Sequence, residues 1–222
     1  MAKRIGVILS GCGVYDGSEV HEAVITLLAI DRAGAEAVCM APDIPQMHVI
    51  NHLTGEPEAG ATRNVLIESA RIARGKIQDL AKVQASDLDA LILPGGFGAA
   101  KNLCNFAVAG ADCEVNAETA RLIKEMYTAT KPIAAVCIAP AVLSKVLGDE
   151  NISPKLTIGN DEGTAAALAT LGSEHIQCPV EEFVIDRDNK LVSSPAYMLA
   201  GRISEAAEGI EKTVQALIGM ID

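Results

Sequence analysis

Dense apolar runs of strand length alternate along this chain with longer stretches of helical spacing. Arg4 to Ser10 reads as a buried strand, closed by Gly11-Cys12-Gly13. Ser18 to Ala33 carries Val24, Leu27, Leu28 and several alanines at helical period, and Gly34 stops it. Glu36 to Met40 is a second strand. Thr62 to Arg74 is a second helix, with Thr62 as its expected cap. Leu88 to Leu93 is a strand running into Pro94-Gly95-Gly96-Phe97-Gly98. Ala117 to Thr128 is helical, Ile133 to Cys137 is a strand, and Pro140 to Leu147 is the helix behind it.

The later chain continues the pattern in shorter pieces. Leu156 to Gly159 is extended and Gly163 to Leu171 is an alanine-rich helix. Phe183 to Asp186 and Leu191 to Ser194 form a hairpin around Asp188-Asn189, and Ala200 to Ile218 is a terminal helix. Two polar excursions, 42–62 and 99–116, interrupt the alternation and are expected to shape a pocket or an interface. Alternating strands and helices predict an α/β fold with a mainly parallel sheet and helices on both faces. No linker or repeat divides the chain, so residues 1–222 are expected to form a single domain.

Such sheets bind ligands at the carboxyl ends of their strands. Three unusual turns fall there: Gly11-Cys12-Gly13, Pro94-Gly95-Gly96 and the turn at Cys137. Cys137 lies between a strand and a helix, as in a nucleophile elbow, where backbone N–H groups and the helix dipole favour an anion. A thiolate is the reactive form of cysteine, so this position is expected to lower the thiol pKa. Buried cysteines are commonly inert, and the neighbouring turns are what raise Cys137 above that reading. The N–H groups of Gly95, Gly96 and Ile138 are candidates to hold an oxyanion. Glu22 is the expected proton partner, since it lies one turn inside the first helix. Glu19 at the helix start is read mainly as a complement to the dipole. His21 is assigned to another face, and Gly11, Cys12 and Gly13 are candidate pocket residues.

Composition narrows the function. The 222 residues are half apolar, only 3% aromatic and 21% charged, with a net charge of −11. That balance argues against a nucleic-acid partner, because phosphate contact needs a basic patch and Arg71 to Lys76 is the clearest short cluster. The six cysteines are spread without a CxxC, so reduced thiols are expected rather than a disulfide scaffold. His48 and His52 are an i, i+4 pair without a convincing third ligand, so no metal is expected. Behind Met1-Ala2-Lys3-Arg4 the apolar stretch reaches only Leu9, which predicts a first strand rather than a signal peptide or membrane span. Gly11, Gly13 and Gly17 miss the dinucleotide spacing by one residue, so nucleotide binding is a minor alternative.

Longer motifs carry a resemblance. The strand-end glycines, Pro94-Gly95-Gly96 and Ala135-Val136-Cys137-Ile138-Ala139-Pro140 resemble the ThiJ/PfpI superfamily of class I glutamine amidotransferase-like folds. Ser10 to Glu19, Ala41-Pro42-Asp43, Asn51 to Glu56 and Pro94 to Leu103 resemble its ElbB branch. The resemblance implies a flavodoxin-like three-layer sandwich and a cytoplasmic homodimer. It also implies a cofactor-free, hydro-lyase-type glyoxalase that converts glyoxal to glycolate without glutathione or metal. The substrate would be a small aldehyde or, in a deglycase reaction, a glycated protein. An association with isoprenoid biosynthesis comes with the branch.

By motif match Cys137 takes the nucleophile position. Glu22 takes the acidic position, counted back from Arg32-Ala33-Gly34. Three departures stand out: Ile138 replaces the histidine that some relatives place after the nucleophile, only His175 follows Cys137 with no nearby His-x-Glu of the kind amidotransferases need, and Asn160 stands where some relatives keep a histidine. Protease and glutaminase chemistry are disfavoured accordingly. The alternative is a non-catalytic redox-sensing or binding protein on the same fold.

Overall fold

The computed structural model describes residues 2–222. In chain order the first half holds β1 (Arg4–Ile8), α1 (Val20–Arg32), β2 (Glu36–Ala41), α2 (Val65–Ile72), β3 (Ile77–Asp79), β4 (Ala90–Leu93) and α3 (Phe106–Ala109). The second half holds α4 (Ala117–Thr128), β5 (Ile133–Val136), α5 (Pro140–Gly148), β6 (Lys155–Leu156), α6 (Glu162–Thr170), β7 (Glu174–His175), β8 (Val184–Asp186), β9 (Leu191–Ser194) and α7 (Ile203–Gly219). Seven strands form one sheet in the order β3-β2-β1-β4-β5-β9-β8, and β6 and β7 pair separately. Within the large sheet every pair is parallel except β8 against β9.

The sheet is buried on both faces, and its side chains divide by the two-residue period of a strand. Ile5, Val7, Ile92, Ala134 and Val136 enter the core shared with α1 and α7, which also holds Ile25, Ile210 and Val214. Their immediate neighbours Ile8, Leu91, Leu93, Ile133 and Ala135 face the opposite core with Leu122, Ile123, Val142 and Leu147 of α4 and α5. Each fully buried Leu or Ile contributes about 1.5–3 kcal/mol by leaving water. This arrangement is the α/β fold expected from the alternation and the flavodoxin-like sandwich implied by the resemblance, and it brings the ends of β1, β4, β5 and β9 to one edge.

Several boundaries move for local reasons. The first helix begins at Val20, because the Ser18 hydroxyl accepts the Ser10 N–H at 2.9 Å and ties the turn to the end of β1. Glu19 caps the helix instead, accepting the Glu22 N–H at 2.7 Å. Thr62 is not the cap of α2; Asn64 is, accepting the Ile67 N–H at 3.0 Å. Strands β3 and β7 are too short to produce a periodic signal. The hairpin of β8 and β9 closes as expected, with Asn189 donating its backbone N–H and side-chain amide to Asp186.

Candidate active site

Strand β5 is wholly buried and delivers Cys137 at φ +61°, a left-handed conformation that costs energy for any side chain except glycine. The neighbouring strand helps hold it there: the Cys137 N–H donates to the Ser194 carbonyl at 3.0 Å. Helix α5 then starts at Pro140, whose missing N–H is harmless in a first turn. The thiol is therefore fixed between two strand ends and below a helix start.

Glu22 approaches from α1 and is fully buried. Its Oε2 accepts the Gly95 N–H at 2.9 Å and its Oε1 accepts the Tyr197 N–H at 3.0 Å. Burial nevertheless wins over these donors and pushes the carboxyl up to about 7, with the Glu19 charge adding to the rise. The same carboxyl contacts the Cys137 sulfur. Burial and the Glu22 charge raise the thiol well above its usual value, while the N–H groups of Gly96 and Ile138 pull the other way. The expected lowering of this thiol is thus overturned. The helix-end donors are present, but desolvation and an adjacent carboxylate outweigh them.

Gly95 has a different role from the one expected. Its N–H is committed to Glu22, so it is not an oxyanion donor. It is glycine because a Cβ there would lie 2.4 Å from the Cys137 Cβ and 2.7 Å from Glu22 Oε2. Gly96 at φ +92° keeps its N–H on the sulfur, as Ile138 does. These two N–H groups are the donors available when charge develops at the reacting centre.

The thiol opens into a cavity of about 370 Å³ lined by Val14, Phe97, Ala100, Phe106, Ile138 and Met198, among others. Its polar lining comes from Glu19, Thr164 and Tyr197; among the described residues no lysine, arginine or histidine lines it. The Tyr197 hydroxyl meets His21 Nδ1 at 2.8 Å, so His21 is exposed and reaches the site only through Tyr197. Asn160, an expected pocket residue, is exposed and outside the lining. His175 is also outside it, where its Nε2 accepts the Ile158 N–H at 3.3 Å.

The Gly11-Cys12-Gly13 turn does not line the cavity either. The Gly11 N–H donates to Ser69 Oγ and the Gly13 N–H to the Ser18 carbonyl, while Gly17 donates to Gly13. With these donors spent, the turn is no phosphate cradle, and the nucleotide reading falls. Its glycines serve close packing: a Cβ on Gly17 would meet the Cys12 backbone at 2.2 Å. Cys12 is half-buried beside Glu68, and burial raises its thiol. Of the two excursions, only 99–116 reaches the cavity. His52 of the first excursion instead sits 3.9 Å from Asp16 and packs on Tyr15. Among the described residues no group of three His, Cys, Asp or Glu is placed to hold a metal.

Sequence reasoning missed Tyr197. The strand-end rule could have found it, because Tyr197 follows β9, the strand beside β5.

A parallel-sheet protein with a buried cysteine on a strained elbow, paired to a glutamate from the first helix, defines the class. Residues 12–151 match the DJ-1/PfpI family, and the chain belongs to it. It is 48% identical to the human glutamine amidotransferase-like class 1 domain-containing protein 3, a mitochondrial protein, over 98% of this chain and 83% of that one. It is 34% identical to the mitochondrial ES1 protein of Danio rerio, over 88% of this chain and 77% of that one. A crystal structure of an isoprenoid biosynthesis protein with an amidotransferase-like domain from Ehrlichia chaffeensis is 37% identical. It superposes with a TM-score of 0.93 and full coverage of both chains. Among the described residues no helix is long and apolar enough to cross a membrane.

Proposed function

We propose that this protein is a cofactor-free glyoxalase acting on a small, uncharged aldehyde, with glyoxal to glycolate as the reaction. The observation that carries this reading is the buried Cys137–Glu22 pair opening into an apolar cavity without a cation. Such a lining disfavours phosphorylated and carboxylate substrates, whose charge would go unpaired and meet Glu19. It also lacks the histidine that glutaminase chemistry would require beside the thiol.

In the proposed mechanism the pair holds one proton between sulfur and carboxyl above about pH 7. Cys137 attacks one aldehyde carbon as its proton passes to Glu22, giving a hemithioacetal. The carbonyl oxygen takes up charge near the Gly96 and Ile138 N–H groups and then receives the proton from Glu22, which is left ionised. Glu22 removes the hydrogen from the first carbon and returns a proton to the second through an enediol. The product is a hydroxyacetyl thioester, which water cleaves to glycolate and free thiol. The water added to glyoxal balances the reaction, and no electron acceptor is needed.

The same chemistry applied to an early adduct on protein would be a deglycase reaction, and the cavity favours the free aldehyde by its size. A cytoplasmic homodimer with residues 1–222 acting as one domain belongs to this reading. Any link to isoprenoid biosynthesis rests on the name of the Ehrlichia relative. The free cysteines suit a reducing compartment, and the named relatives are mitochondrial proteins. Redox sensing at Cys137 is the weaker reading, because a raised thiol is a poor peroxide target.

The test is glyoxal turnover by purified protein without added metal or glutathione. Wild type is expected to form glycolate, and Cys137→Ala to lose at least about 1,000-fold in rate. Equal rates in the two proteins would end the proposal.

A further inference from the structure

The excursion 99–116 carries a second pair of thiols that the proposed reaction does not use. Cys104 and Cys113 are both free and buried. They bracket α3, whose Phe106 and Ala107 form part of the wall facing Cys137. The segment is closed at its base by pairing of Cys104 with Val115, and the Asn105 N–H donates to the Glu114 carbonyl at 3.1 Å. The Glu114 N–H in turn donates to Asn105 Oδ1 at 2.7 Å. This closure sets Cys104 and Cys113 side by side on one face of the segment, with the Cys104 S–H donating to the Ala99 carbonyl at 3.3 Å. The neighbouring Cys104 thiol and the Lys145 ammonium favour the Cys113 thiolate and draw it below its usual value, while burial opposes them. One thiol of the pair is thus prepared as an attacking thiolate and the other as its resolving partner.

One short turn of helix and a 3-10 turn lie over Cys113, while Cys104 belongs to the core shared with α4 and α5. Val108 is 63% exposed, and Asp112 and Glu114 on either side of Cys113 are exposed. Gly110 at φ +56° joins the two turns. A cover this small can open without unfolding the sheet, which gives a small oxidant a route to the sulfur.

We propose that Cys104 and Cys113 are a redox modification site, closing to a reversible disulfide that reshapes the cavity wall at Phe106. The oxidant is a peroxide. The Cys113 thiolate attacks one peroxide oxygen, the O–O bond breaks, and hydroxide leaves and is protonated to water. The sulfenic acid formed on Cys113 is then attacked by the Cys104 sulfur. The S–O bond breaks, and a second water departs with the Cys104 proton. Two electrons pass from the two sulfurs to the peroxide, and a dithiol reductant reverses the change. The proposal is independent of the glyoxalase reading, since its chemistry involves neither Cys137 nor an aldehyde.

Trypsin provides a direct readout, because Lys101 and Arg121 bound a peptide containing both cysteines. After brief peroxide treatment of the folded protein, peptide 102–121 is expected to be lighter by two hydrogens and to regain them with dithiothreitol. Cys104→Ser and Cys113→Ser should each abolish the mass change, and Cys104→Ala is a second variant should serine unsettle the core. A peptide that keeps both thiols while other cysteines oxidise would overturn the proposal. So would conversion of Cys113 to a sulfinic acid without a bridge.

The effect on the wall is read by iodoacetamide alkylation of Cys137, which requires no turnover. Oxidation is expected to change its rate by about fivefold or more in wild type and to leave Cys113→Ser unmoved. A disulfide with an unchanged alkylation rate would overturn the coupling to the cavity.

Discussion

The protein holds two buried thiols near one cavity, each with a different partner, and they are tuned in opposite directions. Cys137 meets a carboxylate, and burial together with that charge raises it despite two backbone donors. Cys113 meets another thiol and a lysine, and it is lowered despite its own burial. Desolvation is common to both, so the sign of the shift is decided by the partner. The scaffolds differ in the same sense. Cys137 is locked by β9 and by Gly95 packed against its Cβ, whereas Cys113 follows a helix of four residues. A rigid site suits a nucleophile that must meet its proton partner in one geometry. A thinly covered site suits chemistry that begins with local opening.

The most damaging way to break this contrast is to loosen the rigid site. Gly95→Ala would place a methyl 2.4 Å from the Cys137 Cβ, on backbone that cannot retreat without breaking the 2.9 Å bond to Glu22. Overpacking of this kind is expected to cost about 3 kcal/mol of stability. Glyoxal turnover is expected to fall at least about 100-fold, because the thiol and carboxyl lose their register. Urea unfolding and a glycolate assay measure the two effects. The Cys104–Cys113 disulfide should still form in the variant, since the lesion lies on the other pair.

A second test uses the raised carboxyl. The folded state keeps a proton on Glu22 that an unfolded chain releases near 4.5, so this group's contribution to stability is fully present below that pH. It is lost as pH rises through about 7, by about 3 kcal/mol in all. Glu22→Gln should remove this part of the pH slope. It should not simply gain the lost stability at pH 8, because an amide NH2 would face one of the two backbone N–H groups that the carboxyl now accepts. Activity should move the other way in wild type, rising through about pH 7 as Glu22 becomes able to take the thiol proton. Urea melts at several pH values and a rate profile check both directions. A rate independent of pH between 6 and 8 would sink the shared-proton mechanism.

Much of this was legible in the sequence because it depends on local pattern. The apolar runs at Ile5, Ile92 and Ile133 mark central strands, and the small residues around Cys137 mark the elbow. Glu22 was legible through motif likeness and its place near the helix start, although it lies in the first turn of α1 and not one turn inside, because the helix begins at Val20. What escaped was decided by tertiary contact. That Gly95 serves Glu22 rather than substrate depends on which N–H lies nearest, and no local pattern records that. Tyr197 is presented through Ala196 at φ +44°, a conformation alanine does not advertise. Asn160 follows a plausible strand end, but Gly159 turns the chain away from the cavity at φ +98°. Thr62 and Asn64 are both acceptable caps by type, and only the path of the preceding loop selects Asn64.

The finest test of the contrast lies in a single charge. Lys145 on α5 lowers Cys113, and it also pairs with Asp149 at 2.8 Å. Lys145→Met removes the attraction and frees the Asp149 carboxylate, which opposes the thiolate. Both changes raise Cys113, so its reaction with iodoacetamide at pH 7 should slow by about twofold, a modest effect because the lysine is partly solvated. Cys137 alkylation should not change, since neither group contributes to that thiol. If both thiols slowed together, the lysine would be acting through the packing of α5, which starts just after the elbow, and the two pairs would not be electrostatically separate. A change confined to Cys113 would instead show that one fold runs two thiol chemistries side by side by choosing a different neighbour for each sulfur.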